Sequence, residues 1–292
     1  MNKETMQQLI LEALSKRLGD GFRITIEKVL KTNLELDGLM IMEKGNIITP
    51  AIYLEPFYEE LEKGASIDHI TDEILQAYST AKSYKGHFDT ASLSDFSFIK
   101  DRLFVALVNR HSNKKLLSDV PYAEFLDDFA ITVRCMLDAS EKVGASFLIH
   151  NGHLDMWQVA PETLISLALH NTREMLGVKL APLEECIQQL CPELAAERTI
   201  GSRMWIVTNK RGLLGASTAL FEDVLRDFSK EHGNFYVVFS SVHEILLLLT
   251  PDDSDIESIT RINQEVNATQ VDADEVLGTK AYFYSRDKGF IL

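Results

Sequence analysis

Three short stretches hold residue types that could do chemistry. Ser240-Ser241-Val242-His243-Glu244 joins two strongly apolar runs. Ser241, His243 and Glu244 could supply a nucleophile, a base and an orienting carboxylate. The structural alternative is that these groups hydrogen-bond the backbone of a loop. Adjacent residues of an extended chain point to opposite sides, so His243 and Glu244 are not expected to pair directly. The chain continues Ile245-Leu246-Leu247, which excludes the two-His zinc helix H-E-x-x-H.

The second stretch is His150-Asn151-Gly152-His153-Leu154-Asp155. His150, His153 and Asp155 could ligate a divalent metal if the chain bends at Gly152. The alternative is a strand-to-loop transition with surface histidines, and no metal is expected. The third is Gly215-Ala216-Ser217-Thr218-Ala219, similar to a nucleophile elbow but with Ala219 in place of its closing glycine. There the alternative is a set of small residues that lets a strand pack closely. Asp127-Asp128 and Asp252-Asp253 read as solvated turns or caps. The chain has neither a Walker A motif nor G-x-G-x-x-G, so no nucleotide and no cofactor is expected.

These stretches sit in an alternation of short strands and helices. Met6, Leu9, Ile10, Ala13, Leu14 and Leu18 recur at helical spacing. Strands are predicted over 22–30 and 34–42, with Lys31-Thr32-Asn33 as the turn. A third strand over 47–54 carries Pro50, which places it at an edge or a bulge. Helices are predicted near 57–63 and over 67–83, with Ser66 as N-cap of the second. Residues 102–109 read as strand or helix. Beyond Pro121, strand pairs at 129–137 with 145–150, 204–208 with 213–220, and 235–239 with 245–249 are each followed by a helix. Final strands fall at 276–283 and at the end of the chain.

Pairs joined by short turns are antiparallel, because parallel strands need a long crossover. The predicted class is α+β, with mostly antiparallel sheets built from strand pairs, each followed by a covering helix. Two lobes are expected, 1–120 and 121–292, with one continuous domain as the alternative.

Composition narrows the function. Against 44 Asp and Glu stand 29 Lys and Arg, a formal net charge of −15. Nucleic-acid binding needs a basic surface, so no nucleic-acid partner is expected. The longest aliphatic run, Ile245 to Leu249, is far short of the ~20 residues of a membrane helix, so no membrane partner is expected either. The first eighteen residues carry Glu4 and Glu12 and do not read as a signal peptide. A cytoplasmic protein is expected. Its cysteines, Cys135, Cys186 and Cys191, suit a reducing compartment. Cys135 reads as a core residue, and Cys186 with Cys191 lacks a second Cys/His pair for zinc.

Several segments resemble a bacterial family known as a domain of unknown function, of the 5688 type. They are Asn46 to Leu54, Lys114 to Pro121, and Ile149 to Thr172. The last of these runs through His150-Asn151-x-His153-Leu154 and Trp157 to Ala168-x-x-Asn171-Thr172. Thr208-Asn209-Lys210, Gly215-Ala216, Phe235-Tyr236 and Ser240-Ser241-x-His243-Glu244 follow in order. Glu265-Val266-Asn267-x-Thr269 and Glu275-Val276-Leu277 complete the set. One departure is Phe239, where the family pattern carries Leu-Pro. The resemblance implies one family from end to end and no particular activity. The function expected is a non-catalytic interaction or adaptor protein with a protein partner. The alternative is a hydrolase centred on His243 with Ser241, or on His150 with His153.

Overall fold

Apolar residues four apart start the chain as a helix. In α1 (Lys3–Leu18), Met6, Ile10 and Leu14 form one buried face. The Asn2 side chain caps it, accepting the Thr5 N–H at 2.8 Å. The structure is a computed structural model, describing residues 1–44, 49–83, 93–137, 146–190, 203–249 and 256–291. It divides into two compact units, Met1–Phe88 and Asp89–Leu292.

In the first unit, β1 (Phe22–Lys31) and β2 (Leu34–Glu43) pair antiparallel through ten register positions. Thr32-Asn33 make the turn, with Asn33 at φ 61°, a conformation Asn tolerates. β3 (Ala51–Tyr53) adds to β2 and starts only after Pro50. The helices α2 (Glu55–Glu62) and α3 (Ile67–Ser83) follow, and Ser66 accepts the His69 N–H at 3.2 Å. Ile70, Ile74 and Tyr78 of α3 join Leu39 and Ile41 of β2 in this unit's core. Residues 47 and 48, the start of the predicted third strand, lie outside the described residues.

Asp37 on β2 is buried in this unit, with only 1% of its side chain exposed. It accepts hydrogen bonds from Lys3 at 2.8 Å, Lys28 at 2.5 Å, Gln7 at 2.8 Å and Tyr58 at 3.1 Å. Burial alone would raise its carboxyl, but the bonds from Lys28, Lys3 and Tyr58 outweigh burial and hold it at about 2.

The second unit holds two antiparallel sheets. In one, β6 (Phe129–Met136) lies between β4 (Leu103–Asn109) and β5 (Tyr122–Phe125), and β7 (Ser146–Leu148) also pairs with β6. The other has six strands in the order β13-β12-β10-β11-β9-β8. These are β8 (Lys179–Pro182), β9 (Met204–Thr208), β10 (Phe235–Val238), β11 (Ile245–Leu248), β12 (Ala281–Ser285) and β13 (Gly289–Ile291). Phe129 from the first sheet meets Phe239 at 4.6 Å between ring centroids, within a shared aromatic core. Phe239 is thus a fully buried packing residue.

The helices of this unit are α4 (Phe96–Ile99), α5 (Lys114–Leu117), α6 (Asn151–Trp157), α7 (Pro161–Leu176), α8 (Leu183–Leu190), α9 (Glu222–His232) and α10 (Ile256–Gln270). The fold is α+β, as expected. Two details differ from expectation. β4 pairs with β6 over all seven of its residues, so 89–120 belong to the second unit and the division precedes residue 120. Residues 213–220 form no strand. Gly215–Leu220 is a buried 3-10 turn, in which the Ser217 and Thr218 hydroxyls donate to the Leu214 and Gly215 carbonyls. β9 pairs with β11 and β8 instead.

Asp37→Asn is expected to destabilise the protein by about 2 kcal/mol near neutral pH. The folded pKa lies below the ordinary 3.8, so the contribution is present above that value and is lost as pH falls toward about 2. Urea denaturation of both proteins should show the gap closing over that window. A gap that persists at the acid end would contradict the assignment.

Candidate functional site

The segment between β10 and β11 carries Ser241, His243 and Glu244. It is pinned on two sides. Val242 N–H donates to the Glu275 carbonyl at 2.8 Å, and Leu277 N–H donates to the Ser240 carbonyl at 3.0 Å. On the other side, Ala216 N–H donates to the Val242 carbonyl at 3.1 Å, and the Thr208 hydroxyl donates to the His243 carbonyl at 2.7 Å. The segment therefore lies as a short extended piece between two others, and the candidate side chains project from a fixed backbone.

His243 Nδ1 accepts the Leu214 N–H at 3.1 Å. A neutral ring then carries its proton on Nε2, which lies 3.1 Å from Glu275 Oε1. The carboxylate partner is thus Glu275, which lies far along the chain from His243. As predicted, neighbouring Glu244 is not the group that contacts the ring. Ser241 Oγ accepts the His243 N–H at 3.0 Å and donates to the Glu244 carboxylate. Burial raises the Glu244 carboxyl above its ordinary value, against the lowering pull of His243 and Ser241.

Both ring nitrogens of His243 are engaged, and neither is hydrogen-bonded to a hydroxyl. An activated serine needs that contact. Ser241 and His243 are therefore adjacent without forming a nucleophile–base pair. Ser217, in the elbow-like stretch, is fully buried and bonded to the Leu214 carbonyl.

His150 and His153 come together at the start of α6, with ring centroids 5.9 Å apart. His153 Nδ1 accepts the His150 N–H at 2.9 Å, and the His153 ring stacks on Trp157 at 5.4 Å. Burial, with the neighbouring His150, lowers the His153 pKa, which favours the neutral ring that this bond requires. His150 Nδ1 lies 2.8 Å from Asp119 Oδ2, so the carboxylate at this pair is Asp119. Asp155 is exposed on α6. Among the described residues, His150, His153 and Asp155 do not converge into a metal-ligand set. The group that does is Glu60, His69 and Glu73 in the first unit, with ligand atoms within 4.8 Å of one another. His69 and Glu73 are also a common exposed i,i+4 helix pair, 3.5 Å apart.

Asp127 is exposed, whereas Asp128 is buried. Asp128 binds Lys280 at 2.9 Å, His111 at 3.2 Å and the Tyr282 hydroxyl at 2.5 Å. Burial acts to raise its carboxyl, and the bonds from Tyr282 and Lys280 bring it below the ordinary range. Cys135 is buried, and burial pushes its thiol up to about 12. Cys186 is a free thiol; Cys191 and Asp252-Asp253 lie outside the described residues.

The sheets, the aromatic core and this pinned segment describe an α+β protein. The chain belongs to the family described as Family of unknown function (DUF5688), which it matches over residues 3–286. No curated protein and no solved structure matches it.

Gly215 is where this segment is most tightly constrained. A Cβ there would strike the Thr208 hydroxyl and the backbone of His243 and Asn209. Gly215→Ala is expected to destabilise by about 3 kcal/mol, since backbone cannot retreat as a flexible side chain can. Thermal or urea unfolding checks this. A variant as stable as the parent would show that the segment is not held as described.

Proposed function

We propose that this chain is a non-catalytic interaction protein of the bacterial cytoplasm that docks a protein partner through α10. The supporting observation is the polarity of that helix. Its buried positions are Asn263 and Asn267, which both donate to the Gly278 carbonyl, at 3.0 and 2.8 Å. Its apolar residues face outward instead. Ile262 is 57% exposed, Val266 40% and Ile256 39%. Ile262 and Val266, four residues apart, share one exposed face of the kind that packs against a second helix or an apolar groove.

At the six-stranded sheet, contact through side chains is favoured over strand addition. The edge strand β8 carries Lys179 and Pro182, which discourage pairing, and the opposite edge, β13, has three residues. Among the described residues, no helix is long and apolar enough to cross a membrane.

The alternative is a hydrolase centred on His243. In its favour is the His243–Glu275 pair, whose carboxylate orients the imidazole. Against it is the absence of any hydroxyl bonded to that ring.

Two measurements test the reading together. Crosslinking in the native host should give a stoichiometric protein complex with the parent, and Ile262→Glu with Val266→Glu should abolish it while leaving the unfolding midpoint intact. An esterase and peptidase screen should give background turnover for the parent and for His243→Ala alike. Turnover that disappears in His243→Ala would reverse the choice between the two readings.

A further inference from the structure

We propose that the cavity beside α5 binds a small organic phosphate. The cavity has a volume of about 420 Å³ and is lined by Arg110, His111, Lys114, Leu117, Ser118 and Tyr122. That is within the range of small-ligand sites, about 300–1,000 Å³. The inference uses no residue of α10 and does not depend on the partner reading above.

The lining charges are all of one sign. Arg110 and Lys114 face the cavity beside the His111 ring, and no carboxylate lines it. In a chain of net charge −15, composition does not account for this. The nearest carboxylates are already engaged. Glu124 pairs with Arg110 at 2.7 Å, and Asp128 is shared among Lys280, Tyr282 and His111. Asp119 is held by His150. Lys114 is exposed and has no carboxylate partner among the described residues. One carboxylate does not exhaust a guanidinium, which offers five N–H donors. The remaining negative charge of the chain acts weakly at this distance, because the Debye length is only about 8 Å at physiological ionic strength.

The backbone that carries these donors is held before any ligand arrives. Asn109 Oδ1 accepts the N–H groups of His111 and Ser112, at 3.0 and 2.9 Å. The buried Asn113 side chain donates to the Asn109 carbonyl at 2.8 Å, and Asn109 Nδ2 donates to the Leu277 carbonyl at 3.0 Å. Arg110 N–H donates to the Asp128 carbonyl at 2.9 Å. A backbone fixed in advance leaves only side-chain ordering to be lost on binding.

The walls define the rest of the ligand. Leu117 offers an apolar surface, Ser118 a hydroxyl, and Tyr122 a ring that is 39% exposed. A phosphate fits the cationic Arg110 and Lys114 with the His111 ring beside them, and an apolar or aromatic body fits Leu117 and Tyr122. A single cavity of this size, in an acidic chain, does not suit a nucleic-acid backbone, which needs an extended basic track.

Calorimetric titration of the full chain with phenyl phosphate and with inorganic phosphate tests the assignment. Phenyl phosphate should saturate one site and bind more tightly than inorganic phosphate. Lys114→Ala should weaken both by about tenfold, the scale of one charge-assisted hydrogen bond. Tyr122→Ala should weaken phenyl phosphate alone. No saturation up to about 10 mM, where affinity would be negligible, would overturn the site, as would unchanged binding in Lys114→Ala. Equal affinity for the two phosphates would overturn the organic body of the ligand.

Discussion

A carboxylate taken out of water must be met by several donors at once, and that constraint organises both units. Asp37 is supplied by Lys3 and Gln7 from α1, Lys28 from β1 and Tyr58 from α2. Asp128 is supplied by His111 from the turn after β4, and by Lys280 and Tyr282 at the start of β12. Each aspartate therefore fixes which segments are neighbours, over and above the packing of apolar surface. An apolar residue of similar volume is often as stabilising as a buried ion pair. What the charge adds here is a particular arrangement, because a misplaced element would leave a desolvated carboxylate without its donors.

The same demand explains the polar residues by which the family is recognised. Thr172 is buried, accepts the Val105 N–H at 2.8 Å and donates to the Ala168 carbonyl at 2.6 Å, joining α7 to β4. Asn171 donates to the Lys100 carbonyl, and Asn209 closes the turn after β9 through the Leu213 carbonyl and the Arg211 N–H. Thr208 and Asn267 act likewise on His243 and Gly278. Buried backbone groups must find partners. A motif rich in Asn, Thr and His can therefore mark irregular buried backbone without marking chemistry.

This difference decides what could be read from the sequence. α1, β1, β2 and α3 follow from apolar spacing, turn residues and Ser66, all of which act locally. The 3-10 turn at Gly215–Leu220 was not legible, because its small residues suit a strand equally well. Close approach to Thr208 and His243 decides between the two. Glu275 was missed as the partner of His243 because 32 positions separate them and only the bridge between Ser241 and Val276 brings them together. The outward stripe of α10 was hidden for a related reason. Periodicity identifies an apolar face, and only the bonds from Asn263 and Asn267 to Gly278 show that this face is not the buried one.

Charge imbalance gives the last step of the argument. With 44 acidic and 29 basic side chains, a cation anywhere on this surface has carboxylates in easy supply. Arg17 takes Asp72, Lys82 takes Glu43, and Arg173 takes Asp223 in a two-pronged contact. Exposed pairs of this kind contribute little stability, about 0–1 kcal/mol each. Lys114 has no carboxylate partner among the described residues, and it is accompanied by Arg110 and His111 on a backbone fixed by Asn109 and Asn113. The carboxylates around that cavity are engaged, Glu124 by Arg110, Asp128 by Lys280 and Tyr282, and Asp119 by His150, which weakens their fields where a ligand would sit. An acidic protein can in this way keep one local region attractive to an anion, while its overall charge still disfavours the long polyanions that a basic surface would collect.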